Sequence, residues 1–119
     1  MILIFKLVFY VSLICIEYLA TTTIRIEAVQ NNWDKLNHFV AFVVLYMLFS
    51  FAYCKVKTSF KIFWLILFAV QIEIVQYFIP NRYFSLLDIF ADVVGILFGF
   101  IIYTFLKIYI LEKNEKFYF

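Results

Sequence analysis

The side chains able to do chemistry in this sequence fall at helical spacing. Asp34 and His38 stand four residues apart, Glu73 and Gln76 three apart, and Asp88 and Asp92 four apart, with Arg82 between the last two pairs. Spacings of three and four put each pair on one face of a helix. Carboxylates beside an imidazole can carry a proton, ligate a metal, or seat a cationic group of a ligand. An arginine adds a planar fork suited to phosphate or carboxylate. These groups sit in stretches that otherwise read as membrane. There each ionisable group costs roughly 2.5–3.5 kcal/mol on insertion scales. A chain does not carry several of them without a structural partner or a task.

The elements that must position these groups follow from composition. The chain has 119 residues, 67% of them hydrophobic and 24% aromatic, with two glycines and one proline. Its mean hydropathy is +1.02. A water-soluble domain this small could not hide so much apolar surface. A spanning helix needs ~20 residues, so four spans use the whole length. The sequence predicts an all-α, polytopic membrane protein: one domain over 1–119, with four transmembrane helices in a bundle. The predicted spans are about 1–20, 36–53, 62–79 and 86–111. Lys6 precedes an apolar run, no small-residue cleavage site follows, and Glu17 interrupts the run, so the first span reads as an uncleaved signal-anchor. Thr21, Thr22 and Thr23 end it. Pro80 stops the third span. Ser85, with Asp88 three residues on, has capping-box spacing at the start of the fourth. Cys15 and Cys54 lie too far apart to pair and form no metal motif.

Four spans put both termini on one side, and the basic residues choose which. Lys6, Lys55, Lys57, Lys61, Lys107, Lys113 and Lys116 fall on the side of the termini, against Arg25, Lys35 and Arg82 on the other. The positive-inside rule then makes both termini cytoplasmic. The acids sort the other way. Glu17, Glu27, Asp34, Glu73, Asp88 and Asp92 lie in the outer half, and Glu112 and Glu115 in the inner half. The outer half therefore carries a net −3 and the inner half +5, consistent with +2 for the chain. Topology requires the inner excess but not the outer deficit. The scattered basic flanks give nucleic-acid binding no support.

Depth follows from a helical rise of ~1.5 Å per residue. Glu73 and Asp92 fall roughly 9 Å below the outer boundary, too deep to be caps, and a short turn makes their helices antiparallel neighbours. They are expected to face each other. Asp88, Gln76 and His38 fall nearer the surface, whereas Gln71 falls off the Glu73 face. Two close carboxylates in a low dielectric do not both stay ionised without a proton or a cation between them. Arg82, an oxygen-bound divalent metal with His38 nearby, or a ligand amine would each serve. No established metal spacing selects among them. Gly95 and Gly99 form GxxxG, the spacing of close helix packing.

Three stretches together carry a resemblance. DKLNHF at 34–39 opens the second span, EIVQYFIPNR at 73–82 closes the third, and FSLLDIFADVVGILFG follows at 84–99. Over about 34–103 the chain resembles the VanZ-like family of small bacterial membrane proteins. The resemblance implies a multi-pass protein of the bacterial cytoplasmic membrane whose polar motifs meet at one membrane face. The matching positions are Asp34, Lys35, His38, Glu73, Gln76, Arg82, Ser85, Asp88, Asp92 and Gly95. The family's namesake is linked to low-level resistance to the glycopeptide teicoplanin. One departure is that the family often has Asn where this chain has Asp92, so this chain carries an extra charge there.

Three functions compete on this reading. The first is a protein that binds or modulates an envelope component, with Asp34, His38, Glu73, Gln76, Arg82, Asp88 and Asp92 as ligand-binding candidates. Its partner would be a lipid-linked precursor or a glycopeptide, beside the bilayer itself. The second is an intramembrane enzyme using His38, Glu73 and Asp92 for acid–base or metal-assisted work on a lipid-linked substrate. No established catalytic spacing accompanies it. The third is a structural protein whose polar layer is only a buried network. A proton or ion pathway ranks lower, because the inner half-spans offer few polar groups.

Overall fold

In the computed structural model the described residues are 2–21, 34–79 and 84–113. They form four helices: α1 (Ile2–Thr21), α2 (Asp34–Ala52), α3 (Thr58–Tyr77) and α4 (Leu86–Lys113). Each has a segment long and apolar enough to cross a membrane, over Ile2–Thr21, Lys35–Ala52, Thr58–Tyr77 and Leu86–Ile110. The protein is thus an all-helical, multi-pass membrane protein.

The ordering of side chains is that of a protein dissolved in lipid. Leu3 and Ile14 are each 69% exposed, while Glu73 and Asp92 are fully buried. Large apolar side chains face outward because hydrocarbon is as good a solvent for them as protein. Polar groups turn inward because lipid offers no hydrogen bonds. Cys15 and Cys54 are free thiols, Cys15 on the exposed surface.

Helix α2 is the hub. It packs most extensively on α4, then on α1, and also touches α3, which in turn meets α1 and α4. The α2–α4 seam is close because two glycines lie on it. A Cβ on Gly95 would overlap the Phe39 carbonyl oxygen, and one on Gly99 would stand 2.9 Å from Tyr46 Cβ and 3.0 Å from the Val43 carbonyl oxygen. The core threads between the helices through Phe9, Phe42, Leu45, Tyr46, Leu65, Ala69, Ile72, Ile96 and Tyr103.

Helix α3 begins at Thr58 and ends at Tyr77, earlier at both ends than the 62–79 expected from hydropathy. The early start takes Lys61 into the helix. Its ammonium donates to Ser50 Oγ at 2.9 Å and lies over the rings of Tyr46 and Tyr103, at 5.4 and 5.1 Å from their centroids. Partners of this kind offset part of the cost of burying a cation. Hydropathy ends the span at a lysine because it cannot see them.

At the far end Gln76 donates its amide to the Ala20 carbonyl oxygen at 2.8 Å, satisfying one of the last acceptors of α1. Glu73 and Gln76 are buried, whereas the next residue, Tyr77, is 68% exposed.

Candidate functional site

The start of α4 is where the polar groups begin to converge. Ser85 Oγ accepts from the Asp88 backbone N–H at 3.2 Å, one arm of a capping box. The reciprocal arm is missing. The Ser85 backbone N–H, which a capping-box acid at Asp88 would accept, donates instead to Glu73 Oε1 at 3.0 Å. That exchange frees the Asp88 carboxylate and ties α3 to the first turn of α4.

The freed carboxylate turns toward α2. Lys35 donates its ammonium to Asp88 Oδ1, and His38 Nε2 lies 3.6 Å from Asp88 Oδ2. Asp92, one turn deeper on α4, holds the other imidazole nitrogen: His38 Nδ1 and Asp92 Oδ1 are 2.9 Å apart. Lys35 and His38 fall on one side of α2 because they are three residues apart, and Asp88 and Asp92 do so on α4 at four. The close seam around Gly95, three residues on from Asp92, lets these short side chains reach across.

Glu73 completes the group from α3. One ligand atom from each of His38, Glu73 and Asp88 lies within 4.8 Å of the others. Glu73 is fully exposed to neither lipid nor water, being 0% accessible, and its Oε2 has no hydrogen-bond partner among the described residues. The His38 side chain is 14% exposed, that of Asp88 7% and that of Lys35 51%, so the cluster opens along its Lys35 edge.

His38, Glu73, Asp88 and Asp92 are therefore brought together. Glu73 and Asp92, expected to face each other, both approach His38: Asp92 bonds to the ring, and Glu73 groups with the ring and Asp88. Gln76 lies on the α1 side, bonded to Ala20. Gly95 and Gly99 lie on the α2 seam. Asp34 is the first residue of α2, but its side chain falls outside the described residues, as does Arg82 altogether.

Three polar contacts lay beyond the sequence reading. Lys35, read as a topological flank and as a family position, is the partner of Asp88. Gln71 donates its amide to Glu17 Oε1, a bond between α1 and α3 across 54 positions of sequence. The signal available was equal depth: Glu17 lies four residues before the end of α1 and Gln71 six before the end of α3. The third is Lys61 with Ser50, at the opposite end of the bundle, where no spacing rule pairs α3 with α2.

This arrangement can do several things chemically. An imidazole held at Nδ1 by a carboxylate presents Nε2 in a fixed direction, as a general base or as a metal ligand. Among the described residues, three carboxylates against one lysine also leave more acids than bases, which a cationic partner would offset.

Comparison with known proteins agrees with the three sequence stretches and extends beyond them. No curated protein and no solved structure matches the chain. A family model described as VanZ/LLP1 matches residues 1–107, which takes in all of α1, α2 and α3 and most of α4. The match spans the four helices and every described member of the polar cluster, and the chain belongs to the VanZ/LLP1 family.

Proposed function

We propose that this protein binds or modulates a component of the cell envelope through the polar cluster at the α1 C-terminal end of the bundle. In this reading it lies in the bacterial cytoplasmic membrane with both termini inside, so the cluster faces outward. The partner is a lipid-linked envelope precursor, and the consequence is a change in susceptibility to teicoplanin-type glycopeptides, in keeping with the family. The observation that carries the reading is the meeting of Lys35, His38, Glu73, Asp88 and Asp92 from three helices. Lys35 at the rim suits a phosphate, and the acids beneath it suit a cation or a hydroxyl-bearing headgroup.

The test is thermal stability of the purified protein in detergent, titrated with lipid-linked precursors, beside Glu73→Gln and Asp92→Asn. A precursor that raises the melting temperature of the wild type and of neither variant supports the reading. No response in the wild type, with both variants simply less stable, makes the cluster a structural network. A second reading, an intramembrane acid–base or metal-assisted enzyme, is favoured by the Asp92–His38 pair. Turnover of a lipid-linked substrate that is abolished by His38→Ala would establish it.

A further inference from the structure

The second atom of each central side chain in the cluster is already held. His38 Nδ1 is bonded to Asp92 Oδ1, Asp88 Oδ1 to Lys35, and Glu73 Oε1 to the Ser85 N–H. Two helices, α2 through Lys35 and α4 through Asp92 and its capping Ser85, thus fix the orientation of three potential ligands. His38 Nε2 and Asp88 Oδ2 lie 3.6 Å apart, and one ligand atom from each of His38, Glu73 and Asp88 falls within 4.8 Å of the others. Glu73 Oε2 is buried and lacks a hydrogen-bond partner among the described residues. A buried carboxylate oxygen without a donor is costly in hydrocarbon unless something positive comes to it.

From this geometry we infer that His38, Glu73 and Asp88 bind a zinc-class divalent metal ion, with Asp92 orienting the imidazole that ligates it. The inference deepens the proposed function, since it rests on reading the same cluster as a binding site and names one of its partners.

The chemistry of the donors selects the class of ion. One imidazole nitrogen with two carboxylate oxygens suits Zn²⁺, or Mn²⁺ at the harder end. Calcium would ask for six to eight oxygens, more than this cluster offers. Bonds of ~2.0–2.2 Å in a tetrahedral site set ligand atoms about 3.3 Å apart. The His38–Asp88 separation of 3.6 Å is near that already, and the Glu73 oxygen lies within 4.8 Å of both. A carboxylate on the far nitrogen of a metal-bound histidine fixes its tautomer and raises its basicity, which is the place Asp92 occupies. Three protein ligands leave a fourth position on the ion for water or for an oxygen of an envelope substrate, on the side that opens toward Lys35.

The experiment uses the full chain, untagged, in detergent and stripped with a chelator, titrated with Zn²⁺ alone and with Co²⁺ alone. The expected result is one equivalent bound and a visible Co²⁺ absorption band of a four-coordinate site. Glu73→Gln should abolish it, and Asp92→Asn should weaken it by about 10–100-fold, the usual cost of losing such an outer partner. If Glu73→Gln does not yield a folded helical protein, Asp88→Asn takes its place. Absence of stoichiometric binding, or binding indifferent to the ligand substitutions and to Asp92→Asn, overturns the inference. No envelope lipid enters this titration. A protein that binds precursor but not metal overturns the metal alone, and one that binds metal but no precursor overturns the envelope reading alone.

Discussion

Replacing Gly95 by Ala tests the closest approach in the molecule and, through it, the site. An added Cβ would overlap the Phe39 carbonyl oxygen and would lie 3.2 Å from Phe42 Cβ. The first of these is backbone and cannot rotate away, so α4 must move from α2. Overpacking of this kind costs about 1–3 kcal/mol. Ala is the better helix former by ~0.8–1.0 kcal/mol, which offsets part of it. Overlap with rigid backbone puts the overpacking cost in the upper part of its range, about 2–3 kcal/mol, so the net expectation is a loss of about 1–2 kcal/mol. Gly99→Ala is the internal control. It gains the same propensity but meets Tyr46 Cβ at 2.9 Å and the Val43 oxygen at 3.0 Å, a milder overlap than the one at Gly95. The difference between the two variants therefore reports how much tighter the packing is at Gly95 than at Gly99. Equilibrium unfolding in mixed detergent micelles measures both. Phe39 adjoins His38, and Gly95 is three residues from Asp92, so the displacement should also weaken metal binding. A Gly95→Ala protein as stable as wild type, or more so, would refute the close α2–α4 seam and with it the reach of Asp92 to His38.

Other substitutions follow from single contacts. Gln71→Leu removes the donor to Glu17 and leaves a buried carboxylate unsatisfied, so unfolding measurements should record a loss of about 1–3 kcal/mol. Adding Glu17→Gln to that variant should recover part of it, and failure to recover would mean that the two side chains do not bond. Lys61→Ala empties the space between Tyr46 and Tyr103 and deprives Ser50 of its donor. We expect a loss of about 2–4 kcal/mol, the range for truncating a long buried side chain, read by thermal melting. For His38 and Asp92, a double-mutant cycle with His38→Ala and Asp92→Ala should give a coupling of about 0.5–3 kcal/mol, and additive effects would dissolve the pair.

The bundle handles charge differently at its two ends. At the α1 C-terminal end, acids outnumber bases among the described residues, and buried carboxylate oxygens of Glu17 and Glu73 have no hydrogen-bond partner among them. At the other, one buried lysine rests on two aromatic rings and a serine hydroxyl. Aromatic faces meet a cation without adding a formal charge of their own, so the lysine has its partners within the bundle. The carboxylate excess at the acidic end is the asymmetry on which the proposed binding site rests.

The sequence by itself determined the solvent and the count of membrane-spanning helices found among the described residues. Sixty-seven per cent hydrophobic residues in 119 leave no soluble fold, and ~20 residues per span leave room for four. It also determined which residues belong to the polar end, because helical spacing and depth are local arithmetic: His38, Glu73, Asp88 and Asp92 each follow from distance to a helix end. Ser85 was legible as a cap for the same reason. Tertiary structure alone decided who pairs with whom. Ser85 N–H goes to Glu73 rather than to Asp88, Asp88 therefore turns to Lys35 and His38, and Asp92 takes the far side of the imidazole. Gln71 finds Glu17, and Lys61 enters α3 because Ser50, Tyr46 and Tyr103 receive it. Spacing along one helix fixes which way a side chain leaves it. Only the rotation and separation of the helices, set here by glycines on the α2–α4 seam, fix what it meets.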